Sequence, residues 1–225
     1  MAPEIDEIIR SRRRTIALIV EPSGRVIVRA PLHAPLGLIN KFVSGKQDWI
    51  DKHRQIMAAK PQKPKVQFAS GESFLLRGKK ITLLIDQNAK QALSLEGQCF
   101  RLRIDSQPHA ARLFEALYKT IARRYFEGRL VGLATALGYK YTTFRLSSAA
   151  TRWGSCSTRG TISLTWRLVM APDDVIDYVI VHELVHTKVH NHSSLFWLTV
   201  EKHMPNYKTH RDWLKKNGHL LQLDR

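Results

Sequence analysis

One six-residue run, Val181-His182-Glu183-Leu184-Val185-His186, limits what this chain can fold into more than any other. It is an H-E-x-x-H pattern set in an apolar stretch. Two histidines four residues apart lie on one face of a helix, one turn apart, so both imidazoles can reach a single ion. Glu183 follows the first of them, beside the ion but off the i+4 ligand position. A carboxylate there can take a proton from water held by the metal. The pattern points to zinc-dependent hydrolysis, most often of peptide bonds. With ten histidines in 225 residues, random placement yields it about 0.02 times per chain, so the surrounding sequence has to carry weight too.

It does. Pro172, Asp173 and Asp174 suit a helix N-terminus, where a proline loses no hydrogen bond and acidic groups meet the positive end of the dipole. Val175, Ile176, Val179, Ile180, Leu184 and Val185 make the helix apolar nearly all round, hence buried. Two histidines and a glutamate inside such a helix are costly without partners. A metal ion satisfies all three at once, which favours it over a core helix whose histidines are merely hydrogen-bonded.

A catalytic zinc takes three protein ligands and leaves one position open. Candidates for the third are His190, His192, His203 and Glu201. On a continuing helix His190 would lie two turns from His182, about 12 Å along the axis, beyond a shared ion. His192 serves if the helix ends near Asn191, a residue that tolerates the left-handed conformation. Ser193 then caps a second helix, Ser194 to His203, stopped by Pro205. The spacing of the three histidines equals that of metzincins, but Val189 stands where those carry glycine.

Val181 to His186, Asn191-His192-Ser193 and Phe196-Trp197 form a series with motifs on either side. Upstream come Arg152-Trp153-Gly154-Ser155-Cys156-Ser157, Ile162-Ser163-Leu164, Trp166-Arg167-Leu168 and Ala171-Pro172. Downstream comes His203-Met204-Pro205-Asn206-Tyr207. In this order they resemble the YgjP-like metallopeptidase family, densely over residues 141 to 213 and more loosely over the first hundred. The resemblance implies a zincin-like fold, zinc on His182, His186 and His192, and Glu183 as general base. That family is in turn similar to SprT- and Spartan-type proteases, which act on DNA-bound proteins and usually add a zinc ribbon. Cys99 and Cys156 alone cannot build a four-cysteine ribbon.

The expected fold class is α+β. A zincin-like catalytic part, with the H-E-x-x-H helix on a small β-sheet, follows a β-rich N-terminal part. The boundary falls near 105: residues 1–105 with a helical insertion, then 106–225. Strand pairs are expected around Pro22-Ser23-Gly24, Arg77-Gly78-Lys79 and Glu96-Gly97. Leu36 to Ala59 reads as one or two helices broken at Gly45, and Pro61 to Pro64 as a polar connector. Leu113, Leu117, Ile121, Tyr125, Leu130 and Leu133 mark a long helix ending at Gly138. Strands over 141–146 and 160–166 flank an irregular segment, 149–158. The second of them is expected to be the edge that accepts substrate backbone. A last helix around Trp213 and Leu214 closes at Gly218.

Arg152 and Tyr207 are candidate substrate-binding residues, and both are candidates to stabilise a developing oxyanion. The competing and favoured reading makes Trp153 and the Tyr207 ring packing groups and pairs Arg152 with a structural carboxylate. Cys156 lacks the context of a nucleophile and reads as a structural thiol. Phe196 and Trp197 are expected to hold the second helix, and with it His192.

Charge is the second strong feature, with 36 basic against 19 acidic residues and a net +17. The basic residues are spread along the chain, which fits either a plain basic surface or weak, sequence-independent contact with nucleic acid. The resulting runner-up is a basic nucleic-acid-associated module whose zinc is structural, which needs a fourth protein ligand such as His190 or Glu201. Two well-separated cysteines suggest no disulfide framework and a reducing cytoplasm. No signal peptide or membrane span is legible. The expected partner is a protein or peptide substrate.

Overall fold

The computed structural model describes residues 4–21, 23–58 and 66–223. The expected connector 61–64 lies outside them. Two compact units are present, Met1–Pro64 and Lys65–Arg225.

The first unit carries a three-stranded sheet in the order β1-β3-β2, with β1 Glu7–Ser11, β2 Ala17–Val20 and β3 Val26–Pro31. β2 and β3 are antiparallel, as the turn around Ser23-Gly24 predicts, and β1 joins β3 in parallel. Helices α1 Leu36–Ser44 and α2 Gln47–Ala58 follow, broken at Gly45. Val26, Val28, Ala30, Ile39, Val43 and Ile50 form its core.

The second unit is α+β. Strands β4 Ser73–Leu76, β5 Lys79–Asp86, β6 Leu93–Glu96 and β7 Cys99–Arg103 make one sheet, ordered β4-β5-β7-β6. The two hairpins match the expected turns. Helix α3, Ala110–Leu137, lies against this sheet and ends on Gly138 in the left-handed conformation, φ 70°. Its buried stripe is Phe114, Tyr118, Ala122, Phe126 and Leu130. Of the positions periodicity selects, Leu130 belongs to this stripe, while Leu113, Leu117, Ile121, Tyr125 and Leu133 are the half-buried flank. A helix packed on two sides has two adjacent apolar stripes, and spacing alone does not rank them.

Aromatic rings join sheet to helix. Phe74 stacks on Phe114 at 4.4 Å between centroids, Phe100 meets Phe114 at 5.1 Å, and Tyr118 reaches Trp166 at 6.1 Å. This shared core places residues 66–105 with the C-terminal part. The compact division at Pro64 therefore differs from the boundary near 105 that the change from strands to helices suggests.

A second sheet of this unit is ordered β8-β10-β9, with β8 Thr143–Ser147, β9 Gly154–Cys156 and β10 Thr161–Thr165. β10 is bonded on both sides, parallel to β8 and antiparallel to β9. The expected edge over 160–166 is therefore central. The edge beside the helices is β9, inside the segment that reads as irregular.

Helix α4, Asp173–His186, buries 11 of its 14 residues and touches α3, β9, α5 (Ser194–His203) and α6 (Tyr207–Asn217). Its N-terminus is clamped. Arg77 and Gly78 form the β4–β5 turn with φ of 49° and 74°, positive at both positions as a tight hairpin requires. Their amides donate to Val169 and Met170 carbonyls at 2.8 and 3.0 Å. The Arg77 guanidinium grips Asp173 at 2.7 and 2.6 Å, and the Tyr125 hydroxyl donates to Asp173 at 2.9 Å. This holds Asp173 below the usual carboxylate range, Arg77 being the main cause. One turn on, Arg129 of α3 makes a two-pronged pair with the buried Asp177. No described helix is long and apolar enough to cross a membrane.

Candidate functional site

α4 ends at His186 with Thr187 as its C-cap, earlier than Asn191. The chain turns through Val189 and Asn191 into α5, whose N-cap is Ser193. This brings His192 back to α4. The Nε2 atoms of His182, His186 and His192 form a triangle with edges of 3.2, 3.1 and 3.1 Å. Among the described residues these three make the group able to share an ion. His190 lies on the turn and lines the adjoining cavity without joining the triangle. Glu201 pairs with Lys208 at 3.6 Å. His203 meets the Tyr139 hydroxyl at 3.0 Å.

The donor set fits a cation. His186 Nδ1 lies 2.9 Å from the Val189 carbonyl, which can only accept, so Nδ1 carries the proton and Nε2 presents a lone pair. Burial, then His186 and His192, lower His182 to about 3, so it too is neutral. Burial likewise lowers His186. Neutral imidazoles converging on one point are what a metal requires. Two ligands of a tetrahedral zinc stand about 3.3 Å apart, close to the edges found.

Aromatic rings hold the triangle. Phe196 is fully buried and lies 4.8, 4.3 and 4.8 Å from His182, His186 and His192. Trp197 stacks on His192 at 5.6 Å. Both rings contact His192, the residue they are expected to hold. Tyr207 is buried and stacked on Trp197 at 5.4 Å, one ring removed from the imidazoles.

Glu183 is 5 % exposed, and burial pushes it up to about 8, opposed by the nearby Arg152. Its side chain lies directly against β9. A Cβ at Gly154 would stand 2.5 Å from Glu183 Oε1 and 2.8 Å from its Cγ. Only glycine lets the edge strand approach so closely. Gly154 is a close-approach position beside Glu183 that the sequence motifs alone do not single out. Its signal was available: an isolated glycine between Trp153 and Ser155 in what proves to be a strand. Gly154→Ala is expected to keep fold and bound metal but push the carboxylate aside, lowering kcat by roughly 10²-fold. Steady-state kinetics with metal analysis of the same sample checks this. Unchanged kcat would show that Glu183 moves freely.

Arg152 is exposed and lines two cavities that adjoin at His182 and Glu183. One, of about 300 Å³, runs past Cys156 to the three histidines. The other, of about 380 Å³, runs past Trp153 and Tyr178 to Arg211, Leu214 and Lys215 on α6. Trp153 lies against the end of α6, so close to Gly218 that a Cβ there would meet the ring at 2.7 Å. Burial and Glu183 push the Cys156 thiol up, the reverse of an activated thiolate.

A family model described as YgjP-like, metallopeptidase domain matches residues 14–217. The class is thus metallopeptidase. The chain belongs to the YgjP-like family. Two solved structures are similar to it, both crystal structures of archaeal metallopeptidase zymogens. Abylysin of Pyrococcus abyssi is 30% identical, with a TM-score of 0.37, over 40% of this chain and 92% of that one. Jannalysin of Methanocaldococcus jannaschii is 19% identical, with a TM-score of 0.36, over 42% of this chain and 96% of that one. A comparison with curated proteins finds no match.

Proposed function

We propose that this metallopeptidase is zinc-dependent, with His182, His186 and His192 holding the ion and Glu183 acting as general base. The observation that carries the reading is the Nε2 triangle with a buried glutamate one residue after its first member. Bound there, zinc supplies Lewis acidity, which acidifies water and polarises a carbonyl oxygen.

The chain's own groups do the rest. A substrate backbone adds to the free edge of β9, which sets the scissile amide against Glu183. Glu183 takes a proton from the attacking water at a carboxylate oxygen. It passes that proton to the amide nitrogen as the carbon–nitrogen bond breaks. Arg152 binds the substrate and stabilises negative charge growing on the carbonyl oxygen. Tyr207 supports substrate binding at one remove, stacked on Trp197, which in turn stacks on His192. All of these groups lie within 106–225, the stretch we assign the catalytic work. Both cysteines are free thiols, in keeping with activity in the cytoplasm.

A structural zinc would need a fourth protein ligand. The group found has three members among the described residues; His190 lines the same cavity but is not one of them, and Glu201 is engaged by Lys208. That favours an open site and the enzyme over the basic binding module. The test is digestion of unfolded casein. Zinc-loaded protein should cleave it, a chelator should stop cleavage, and added zinc should restore it. Cleavage that survives complete metal removal would overturn the reading.

A further inference from the structure

The larger cavity beside Glu183 has an uneven lining. Its floor is apolar, built from Val179, Leu214 and the rings of Trp153 and Tyr178, and its rim carries Arg152, Arg211 and Lys215. Glu183 is the sole carboxylate in the lining. Among the described residues, no ion pair joins any of the three cations to an acidic side chain. Arg211 instead lies over the Trp197 ring at 5.3 Å. Arg211 and Lys215 stand one turn apart on α6, where like charges repel, and an anion between them relieves that repulsion. An apolar floor with cations at the mouth matches a side chain of methylenes ending in a carboxylate.

We propose that this cavity is a specificity subsite for an acidic side chain, glutamate or aspartate, next to the scissile bond. Arg211 and Lys215 are its specificity-determining residues, with Arg152 shared with the reacting centre. The proposal rests on the reading of the site as hydrolytic, since it assigns the cavity to one flank of the cleaved bond. The cations are exposed, so each contributes modestly, a factor of about 1.5 to 5 per pair. Together they favour an acidic over a basic residue by roughly tenfold in kcat/KM.

The test has two arms. In the first, zinc-loaded protein digests peptides randomised on both sides of the cleaved bond, and mass spectrometry reads the sites. Asp and Glu should be enriched at one flanking position, and Arg211→Glu/Lys215→Glu should shift that position to Lys and Arg. Cleavage with no charge preference there overturns the proposal and leaves the hydrolytic reading intact. In the second, labelled peptides differing only by Glu, Gln or Lys bind zinc-loaded Glu183→Gln protein, read by anisotropy. The Glu peptide should bind roughly tenfold tighter than the Lys peptide, and the double reversal should invert the order. That result without hydrolysis by the unaltered protein leaves a cavity that selects acidic side chains, and sinks the hydrolytic reading together with the placing of this cavity beside a cleaved bond. Equal binding of the three peptides overturns the proposal. So does displacement by a single-stranded oligonucleotide without discrimination among them, which would assign these cations to phosphate.

Discussion

Glu183→Gln is expected to keep its fold and its zinc and to lose peptide hydrolysis by roughly 10²-fold or more. The amide has the size of the carboxyl, so it keeps the fit against Gly154. It is not one of the three nitrogen donors, so metal content should stay at one ion per chain. What disappears is the group that accepts a proton. The measurement is turnover of a fluorogenic peptide, paired with metal analysis of the same protein. Full activity in the zinc-loaded variant would remove Glu183 from the mechanism. Loss of activity together with loss of zinc would make it a metal-site residue instead.

His192→Ala carries the second large effect, on affinity for the metal. The other two donors sit on α4 and are fixed by the core, whereas His192 is exposed and arrives from the turn before α5. Its ring is held by Phe196 and Trp197, so the donor is presented in place at little entropic cost. Losing an outer partner of a ligand typically costs 10- to 100-fold in affinity, and losing a ligand outright should exceed that, roughly 10²-fold or more. Competition with a chelating dye measures it. An unchanged dissociation constant and full zinc content would assign the third position to another group.

Much of the histidine-bearing helix α4 was legible because its signals are local. Pro172, the acidic first turn, the apolar run and the i, i+4 histidines all act within a few residues, and α4 begins where they indicate. The three hairpins were legible for the same reason. Ser193 and Pro205 bracket α5 as expected. What could not be read depends on distant partners. The buried stripe of α3 is set by the sheet and α4 pressing on two sides of it. β9 is three residues long, and it is a strand because Ser155 and its neighbours find β10, not through any run of strand-forming residues. Gly154 matters through Glu183, 29 positions away. Arg211 and Lys215 show the i, i+4 spacing of a shared face, but only the packed structure turns that face towards the cavity.

The enclosure of α4 has a consequence for how such a molecule can diversify. A helix in contact with α3, α5, α6 and β9 admits few substitutions, since each one disturbs several neighbours. α6 buries only Tyr207 and Leu214, and its outer positions are open to change at little cost in stability. The groups proposed to react and those proposed to select the substrate thus sit on helices of very different mutational tolerance. Selection can retune what is cut by rewriting the outer face of α6 while the means of cutting stays fixed.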